Sequence, residues 1–285
     1  AASRGRPDGN SGMTTPLLEV HDLVVEYPVA NGVFRALDTV SFSVEAGSTL
    51  AVVGESGCGK STLAKSIVRL LTPTSGAIKF DGVDISRMSE KSLRPYRSRI
   101  QMVFQDPFGS LDPHLSAVDI VGEPLRLQGI RKRTARDAKA AELIDRVGLP
   151  TTALHRKPAE FSGGQRQRIG IARALASGPD LLVCDEATSA LDVSVQAQVL
   201  DLLREIKRDT GLTYLFISHN LGVVREISDT IVVMCGGRIV ERGPTADVLA
   251  RPQEPYTRAL RAAALDPTTM VGIKPRSVVA QGVAS

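Results

Sequence analysis

The sequence has no tryptophan, only three cysteines and no long apolar run. Its strongest apolar runs, such as residues 231–235, are far shorter than the ~20 residues that a transmembrane helix needs, so we expect no membrane span. Cys58, Cys184 and Cys235 lie far apart and lack the spacing of metal ligands. This distribution excludes a disulfide-stapled scaffold, does not indicate a zinc site and is typical of a reducing compartment.

The sequence also lacks a large excess of charge of either sign. The 35 Lys and Arg residues nearly balance the 31 Asp and Glu residues, leaving a net charge of +4. A nucleic-acid binder usually has a concentrated basic field, so we expect no nucleic-acid partner. With 285 residues, of which 42% are hydrophobic, the chain is long enough for one large α/β domain or two small ones.

Short β-rich runs alternate with helical patterns along the chain. Residues 23–27 and 40–44 predict a small β layer, separated by the turn residues Ala30, Asn31 and Gly32. The apolar residues 48–53 predict a strand, and a helix is expected from residue 60 to residue 71, before Pro73.

The second half of the chain repeats this alternation. Strands are predicted at residues 100–104, 181–184, 213–217 and 231–234, with helical patterns between the last three. Such alternation is typical of a parallel sheet with crossover helices. The helical pattern over about residues 106–178 therefore predicts a helical subdomain inserted into the sheet-forming core.

A glycine-rich motif, GxxxxGKS, follows the strand predicted at residues 48–53 and begins a helix, as a phosphate-binding loop requires. Its glycines let backbone N–H groups face an anion, and the helix N-terminus adds partial positive charge. In such a loop Lys60 reaches the β and γ phosphates, and Ser61 offers its hydroxyl to Mg²⁺. The predicted loop residues are Gly54, Glu55, Ser56, Gly57, Cys58, Gly59, Lys60, Ser61 and Thr62.

Two acidic residues, Asp185 and Glu186, follow the apolar run at residues 181–184. Ligands of open α/β sheets bind at the carboxyl ends of the strands. Adjacent strand residues point to opposite sides, so the two carboxylates need not share one role. We assign Asp185 to Mg²⁺ through water, and Glu186 to the attacking water as general base.

A third motif, Phe161-Ser-Gly-Gly-Gln165, precedes an amphipathic pattern running to about residue 176. Ser162 and Gln165 have the spacing of a helix capping box. Each of the two glycines costs up to ~1 kcal/mol relative to alanine in a helix interior, and less at a helix end. A closely approaching phosphate would explain the bare backbone, and both interpretations stay open from local sequence alone.

Together these segments resemble the ATP-binding subunits of ABC transporters, whose LSGGQ signature occurs in this chain with Phe161 in its first position. The resemblance covers nearly the whole chain. It implies an α/β fold: a RecA-like P-loop NTPase core with a small antiparallel β layer and an inserted α-helical subdomain. It also implies ATP and Mg²⁺ as ligands. Two such domains face each other head to tail in this family, so one domain's phosphate loop and the other's signature helix enclose each ATP.

The same resemblance assigns four further elements. Gln105 matches the glutamine that contacts Mg²⁺ and couples to the membrane partner, and residues 189–192 match the D-loop. His219 matches the switch histidine that contacts the γ-phosphate, and Tyr27 lies where the family places an adenine-stacking aromatic. The predicted site thus comprises the phosphate loop, Tyr27, Gln105, Ser162, Gly163, Gly164 and Gln165 for nucleotide, Ser61, Gln105 and Asp185 for metal, and Glu186 and His219 for catalysis.

Finer similarities indicate a subfamily. Residues 102–113 and 254–260 look like segments of oligopeptide and dipeptide importer ATPases, a group that includes nickel importers. Glu254 departs from the group's usual HPYT motif, and no cysteine follows Cys235, so no iron–sulfur cluster is expected in this chain. The resemblance implies an ATPase that powers di- or oligopeptide uptake. The alternatives are an importer of nickel or another solute, a soluble non-transport ABC ATPase, and a small-molecule kinase.

The resemblance also implies partners and boundaries. The expected partners are a second nucleotide-binding domain, paralogous and either separate or fused, two transmembrane permease subunits and an extracytoplasmic solute-binding protein. The expected location is the cytoplasmic face of the membrane. We expect a flexible lead-in over residues 1–16, a nucleotide-binding domain over residues 17–250 and a C-terminal extension over residues 251–285.

Overall fold

The computed structural model describes residues 16–30, 32–106 and 109–265. The predicted lead-in, apart from Pro16, lies outside these residues, as do Asn31 of the predicted turn, Pro107 and Phe108. The end of the predicted C-terminal extension, from residue 266 onward, also lies outside them.

The described part of the chain begins with three strands, and helices and further strands alternate after them. The strands of the described residues are β1 (Leu18–Val29), β2 (Gly32–Val44), β3 (Thr49–Val53), β4 (Ser75–Phe80), β5 (Val83–Asp84), β6 (Ile100–Val103), β7 (Leu181–Asp185), β8 (Thr213–Ile217), β9 (Thr230–Cys235) and β10 (Arg238–Pro244). Their α-helices are α1 (Lys60–Ile67), α2 (Glu90–Arg99), α3 (Ala117–Leu127), α4 (Arg133–Arg146), α5 (Gly163–Leu175), α6 (Val193–Thr210), α7 (Leu221–Ile227), α8 (Thr245–Ala250) and α9 (Pro255–Leu265). Short 3₁₀ turns lie at Thr151–Ala153 and Pro158–Glu160.

The strands form two sheets. The smaller is antiparallel, in the order β2-β1-β4-β5. The larger has the order β10-β9-β3-β8-β7-β6, in which every neighbouring pair is parallel except β9 and β10. Strands β3, β7 and β8 are buried along their whole length, as expected for parallel strands covered on both faces.

The helical insertion leaves the larger sheet after β6 and returns to it before β7. These strands are parallel neighbours, with Ile100 opposite Leu181. Two hydrogen bonds join the residues that precede these strands: Asp180 N–H donates to Arg99 O at 2.9 Å, and the Asp180 carboxylate accepts from Arg99 Nε at 2.5 Å. Helices α3, α4 and α5 lie within the insertion. The predicted fold class, a P-loop core with an antiparallel β layer and inserted helices, is confirmed.

Helix α1 ends earlier than predicted, at Ile67 rather than residue 71. The apolar pattern continues, but Arg69 takes a left-handed backbone conformation with φ +57°. The Arg69 side chain is buried and donates from Nε to Ile85 O at 2.8 Å. The N–H groups of Leu70 and Leu71 both turn back to Lys65 O, which ends the helix.

Three apolar clusters fill the spaces between these layers. The first lies between the two sheets and includes Leu63 and Ile67 of α1. The second joins the helical insertion to the larger sheet, and the third packs α7, α8 and α9 against β3 and β9. Every helix in the described part of the chain is too short or too polar to cross a lipid bilayer.

Candidate functional site

The glycine-rich loop connects β3 to α1. Gly54, Gly57 and Gly59 have φ values of +152°, +82° and +105°, which side-chain-bearing residues rarely adopt. A Cβ at Gly54 would lie 2.3 Å from Met234 O, and one at Gly59 would lie 2.5 Å from Ala36 O. Glycine is therefore required at both positions, because the loop passes directly against the backbones of β9 and β2.

Lys60, the first residue of α1, lies folded beneath this loop. It is only 5% exposed. Its ammonium group donates to Gly54 O at 2.8 Å and to Glu55 O at 2.9 Å, and it lies 3.9 Å from Cys58 Sγ. Since an ammonium group has three N–H donors, these contacts satisfy the buried charge and fix its place at the centre of the loop.

Ser61 faces the end of β7. Its hydroxyl donates to Asp185 Oδ1 at 3.1 Å. Burial raises the pKa of the Asp185 carboxyl, the nearby Glu186 charge raises it further, and the Ser61 hydrogen bond opposes the shift. The phosphate loop and the acidic pair, which are far apart in sequence, therefore meet at one place.

Glu186 joins two further predicted residues. Gln105 Nε2 donates to Glu186 Oε2 at 3.0 Å, and His219 Nδ1 lies 3.4 Å from the same oxygen. The Glu186 side chain is 16% exposed, whereas that of His219 is 60% exposed. A largely enclosed carboxylate is thus flanked by a polar amide on one side and by an accessible imidazole on the other.

An open cavity of about 400 Å³ lies over Lys60, Ser61, Gln105 and Glu186, and neither Asp185 nor His219 is among its lining residues. Tyr27 lines this cavity, and so does Phe34, its cross-strand partner in the β1–β2 hairpin. Sequence reasoning missed Phe34, although the register of a hairpin around the turn at residues 30–32 would have placed it opposite Tyr27. The lining residues are Tyr27, Phe34, Ala36, Ser56, Gly57, Gly59, Lys60, Ser61, Thr62, Gln105 and Glu186.

The signature motif lies at the start of α5. Ser162 is the N-cap, and the predicted capping box is present: Gln165 N donates to Ser162 Oγ at 3.3 Å, and Ser162 N donates to Gln165 Oε1 at 3.0 Å. The structure describes Ser162, Gly163, Gly164 and Gln165, and none of the four lines the cavity. The chain therefore presents the predicted nucleotide residues in two separate groups.

The two glycines of this motif have different surroundings. A Cβ at Gly164 would lie 2.3 Å from Val195 Cγ1, so packing against α6 excludes a side chain there without any ligand. A Cβ at Gly163 would meet only Leu191 Cδ2, at an ordinary 3.7 Å. Packing thus accounts for Gly164, and the phosphate interpretation depends on Gly163.

Two oxygen groups beside the glycine-rich loop suit Mg²⁺. Ser61 offers a hydroxyl and Asp185 a carboxylate, and Mg²⁺ usually takes one or two such protein ligands and completes its shell with water and substrate phosphates. Among residues 16–30, 32–106 and 109–265, no three His, Cys, Asp or Glu side chains cluster closely enough to hold a metal. A metal at Ser61 and Asp185 would therefore take further ligands from water or from a bound phosphate.

Known proteins resemble this chain in sequence over most of its length. The profile of the ABC transporter family matches residues 37–189. The chain is 50% identical over 259 residues to a probable peptide ABC transporter ATP-binding protein, y4tS, of Sinorhizobium fredii, covering 88% of this chain and 73% of that protein. It is 49% identical over 252 residues to the oligopeptide transport ATP-binding protein AppF of Bacillus subtilis, covering 86% and 77%.

A solved structure is similar in fold and partly in sequence. It is the ATP-binding cassette MJ0796, in a dimeric post-hydrolysis state bound to ADP and Pi. The TM-score is 0.74 at 28% identity, and the match covers 80% of this chain and 98% of that one.

Proposed function

Because the chain belongs to the ABC transporter family and is an ATPase of that family, we propose that it powers the import of di- or oligopeptides. The observation that carries the site assignment is the meeting of three groups: Lys60 beneath the glycine loop, Ser61 on Asp185, and Glu186 between Gln105 and His219. The relatives named for peptide transport support the choice of solute.

Binding of ATP would use the cavity from end to end. The aromatic rings of Tyr27 and Phe34 offer faces for the adenine. Backbone N–H groups of the glycine loop and the N-terminus of α1 offer donors for the phosphates, and Lys60 supplies a positive charge. Ser61 and Asp185 would hold Mg²⁺, which offsets phosphate charge when bound.

Hydrolysis would depend on the carboxylate of Glu186. It accepts the proton of the attacking water, and its position is set by the hydrogen bond from Gln105. His219 lies beside the same carboxylate and lines a separate cavity, and we assign it to the γ-phosphate of bound ATP. Gln105 lies two residues after the end of β6, so it links the reacting groups to the helical insertion.

A second nucleotide-binding domain would complete the site. The signature residues of α5 stand apart from the cavity, so in a head-to-tail pair each α5 would face the partner's phosphates. ATP then favours the closed pair only by the difference between its binding free energies to the closed and open forms. We expect the second domain to be a paralogue, separate or fused, that acts with two permease subunits and a solute-binding protein, placing this chain at the cytoplasmic face of the membrane.

Replacement of Lys60 tests the phosphate loop. Lys60→Ala should abolish measurable Mg–ATP binding in calorimetry, because it removes the positive charge from the centre of the loop. Lys91→Ala, which changes an exposed lysine of α2, is the matched control and should bind as the unaltered protein does. Unchanged affinity in Lys60→Ala would contradict the assignment.

Three measurements separate the alternatives. A small-molecule kinase would be active as a monomer, whereas ATP hydrolysis by this chain should require a second nucleotide-binding domain. A soluble non-transport ATPase would not co-purify with detergent-solubilised permease subunits, whereas this chain should. Binding tests on the solute-binding protein of the purified complex then decide between peptides and nickel or another solute.

A further inference from the structure

Helix α9, in the predicted C-terminal extension, is fastened to the ATPase core at its start. Gln253 N and Glu254 N donate to the two carboxylate oxygens of Glu241 on β10, at 2.8 and 3.2 Å. Arg261 also donates to Ala250 O, at the end of α8, at 3.0 Å. The helix therefore has a fixed position against the edge of the larger sheet.

Tyr256, in the first turn of α9, reaches from this helix to the phosphate loop. It is 5% exposed and packs in the cluster that contains Val53 of β3 and Val233 of β9. Its hydroxyl accepts a hydrogen bond from Glu55 N at 3.1 Å, across 201 residues of sequence. Burial raises the pKa of Tyr256, so its hydroxyl stays neutral around physiological pH.

The peptide group between Gly54 and Glu55 forms hydrogen bonds with both Tyr256 and Lys60. A peptide unit is planar, so the Gly54 carbonyl and the Glu55 N–H turn together. The N–H is bound to Tyr256, and the carbonyl accepts from Lys60 Nζ at 2.8 Å. Gly54 has no side chain to restrict this rotation, so the two hydrogen bonds restrain the plane.

We propose that Tyr256 is a positioning residue for nucleotide binding: it orients the Gly54–Glu55 peptide and thereby places the Lys60 ammonium group. This inference rests on the proposed assignment of the loop to ATP phosphates. The C-terminal extension is then a structural support of the nucleotide site rather than a separate appendage. A change that shifts α9 along the sheet edge would also alter the phosphate loop.

The test compares two tyrosines that differ in what their hydroxyls hold. Tyr256→Phe removes the hydrogen bond to the loop and keeps the packing. Tyr214→Phe, the matched control, removes the hydroxyl of another buried tyrosine, which donates to Leu203 O at 3.1 Å in another core cluster. Both variants should melt at a somewhat lower temperature. Only Tyr256→Phe should weaken Mg–ATP binding, by about twofold to tenfold, as expected for one lost hydrogen bond.

Amide hydrogen exchange at Glu55 reports whether its hydrogen bond to Tyr256 is lost, and the Kd for Mg–ATP shows whether that loss affects nucleotide binding rather than stability alone. Exchange should be faster in Tyr256→Phe than in Tyr214→Phe. If Tyr256→Phe does not fold, Glu241→Ala, which loosens only the start of α9, should raise both Glu55 exchange and the Kd for Mg–ATP. Equal Kd values in the two tyrosine variants, or unchanged Glu55 exchange and Kd in Glu241→Ala, would overturn the proposal. Absence of Mg–ATP binding in the unaltered protein would instead contradict the proposed site.

Discussion

The backbone conformation of Glu186 determines where its carboxylate lies relative to that of Asp185. Alternation along a strand would place Asp185 and Glu186 on opposite sides. The strand ends at Asp185, however, and Glu186 adopts φ +48°, a left-handed conformation that costs roughly 1–2 kcal/mol for an L-residue. Its N–H donates to Ile217 O, and its carbonyl accepts from Ser189, which holds the turn. Both carboxylates therefore reach the same site.

Replacement of Glu186 by Gln should separate binding from hydrolysis. The amide keeps the size and an acceptor for Gln105 but cannot take a proton from water. We expect Mg–ATP affinity to stay within about twofold, because no phosphate contact is lost. Turnover in the assembled complex should fall by about 10²–10⁴, the usual contribution of a general base.

Glu226→Gln is the control for this change, because it alters an exposed glutamate on α7 that pairs with Arg204. It should leave turnover unchanged. Steady hydrolysis by Glu186→Gln at the unaltered rate would exclude Glu186 as the base.

At the residue level, the sequence predicts contacts that are local. The loop motif and the Ser162–Gln165 capping box depend on neighbours within a few residues, so both could be recognised in the sequence. The hydrogen bond from Glu55 to Tyr256 joins residues 201 positions apart and could not. No pattern near Tyr256 indicates which backbone group its hydroxyl meets.

At the element level, the two adjacent glycines at the start of α5 differ in their surroundings, and packing explains only one of them. Its second glycine, Gly164, lets α6 approach until Val195 lies where a side chain would be. Its first, Gly163, borders only Leu191 at an ordinary distance. The sequence predicted the helix and its cap but could not assign different causes to the two glycines, because the position of α6 is a tertiary property.

Alanine substitutions should separate these causes. Gly164→Ala should destabilise the protein by about 1–3 kcal/mol in urea unfolding, since it overpacks against a stiff β-branched side chain, and adding Val195→Ala should restore much of the loss. Gly163→Ala should keep or slightly raise stability, because alanine favours helix by up to ~1 kcal/mol.

The same Gly163→Ala change should lower hydrolysis in the assembled complex by about tenfold to a hundredfold. Alanine keeps the backbone N–H, but its methyl group would hold a phosphate out of reach of that N–H, and a lost hydrogen bond to a charged group has an effect of this size. Full activity in this variant would remove the argument for a phosphate at α5.

Some elements left no recognisable pattern. Helix α2 buries a single residue, Leu93, and contains Pro95, so its sequence lacks an apolar helical period. Strand β5 has two residues, both exposed. These elements form because the antiparallel sheet and the loop from α1 hold them in place, and such tertiary causes cannot be derived from local sequence.

At the scale of the whole molecule, a small polar cluster joins the two sheets. Asp38 of β2 donates from its N–H to Gly237 O at 2.9 Å, beside the β9–β10 turn. Its carboxylate accepts from Arg238 Nε at 2.6 Å and from Arg35 Nη1 at 3.0 Å. These two hydrogen bonds lower the pKa of Asp38.

The lowered pKa predicts a pH-dependent contribution to stability. A carboxylate whose folded pKa lies below its unfolded value of about 3.9 stabilises the fold above that pH, and this contribution disappears as the pH falls through the folded pKa. Asp38→Asn should therefore lower the urea midpoint at pH 7, and its difference from the unaltered protein should narrow below about pH 4.

Asp201→Asn, which breaks an exposed ion pair within α6, is the control and should change the midpoint little at either pH. If the difference in urea midpoint between Asp38→Asn and the unaltered protein stays the same at pH 7 and below about pH 4, the lowered pKa of Asp38 does not contribute to stability.

The neighbouring positions of β6 and β7 have a consequence for how this architecture can vary. Adjacent strands lie about 4.8 Å apart, so the chain leaves and re-enters the sheet through one narrow seam. A segment of any length between residues 104 and 180 must therefore begin and end at these two neighbouring strands. The surface of this insertion can thus be remodelled at the seam while β3, which leads to Lys60, and β7, which bears Asp185, keep their register.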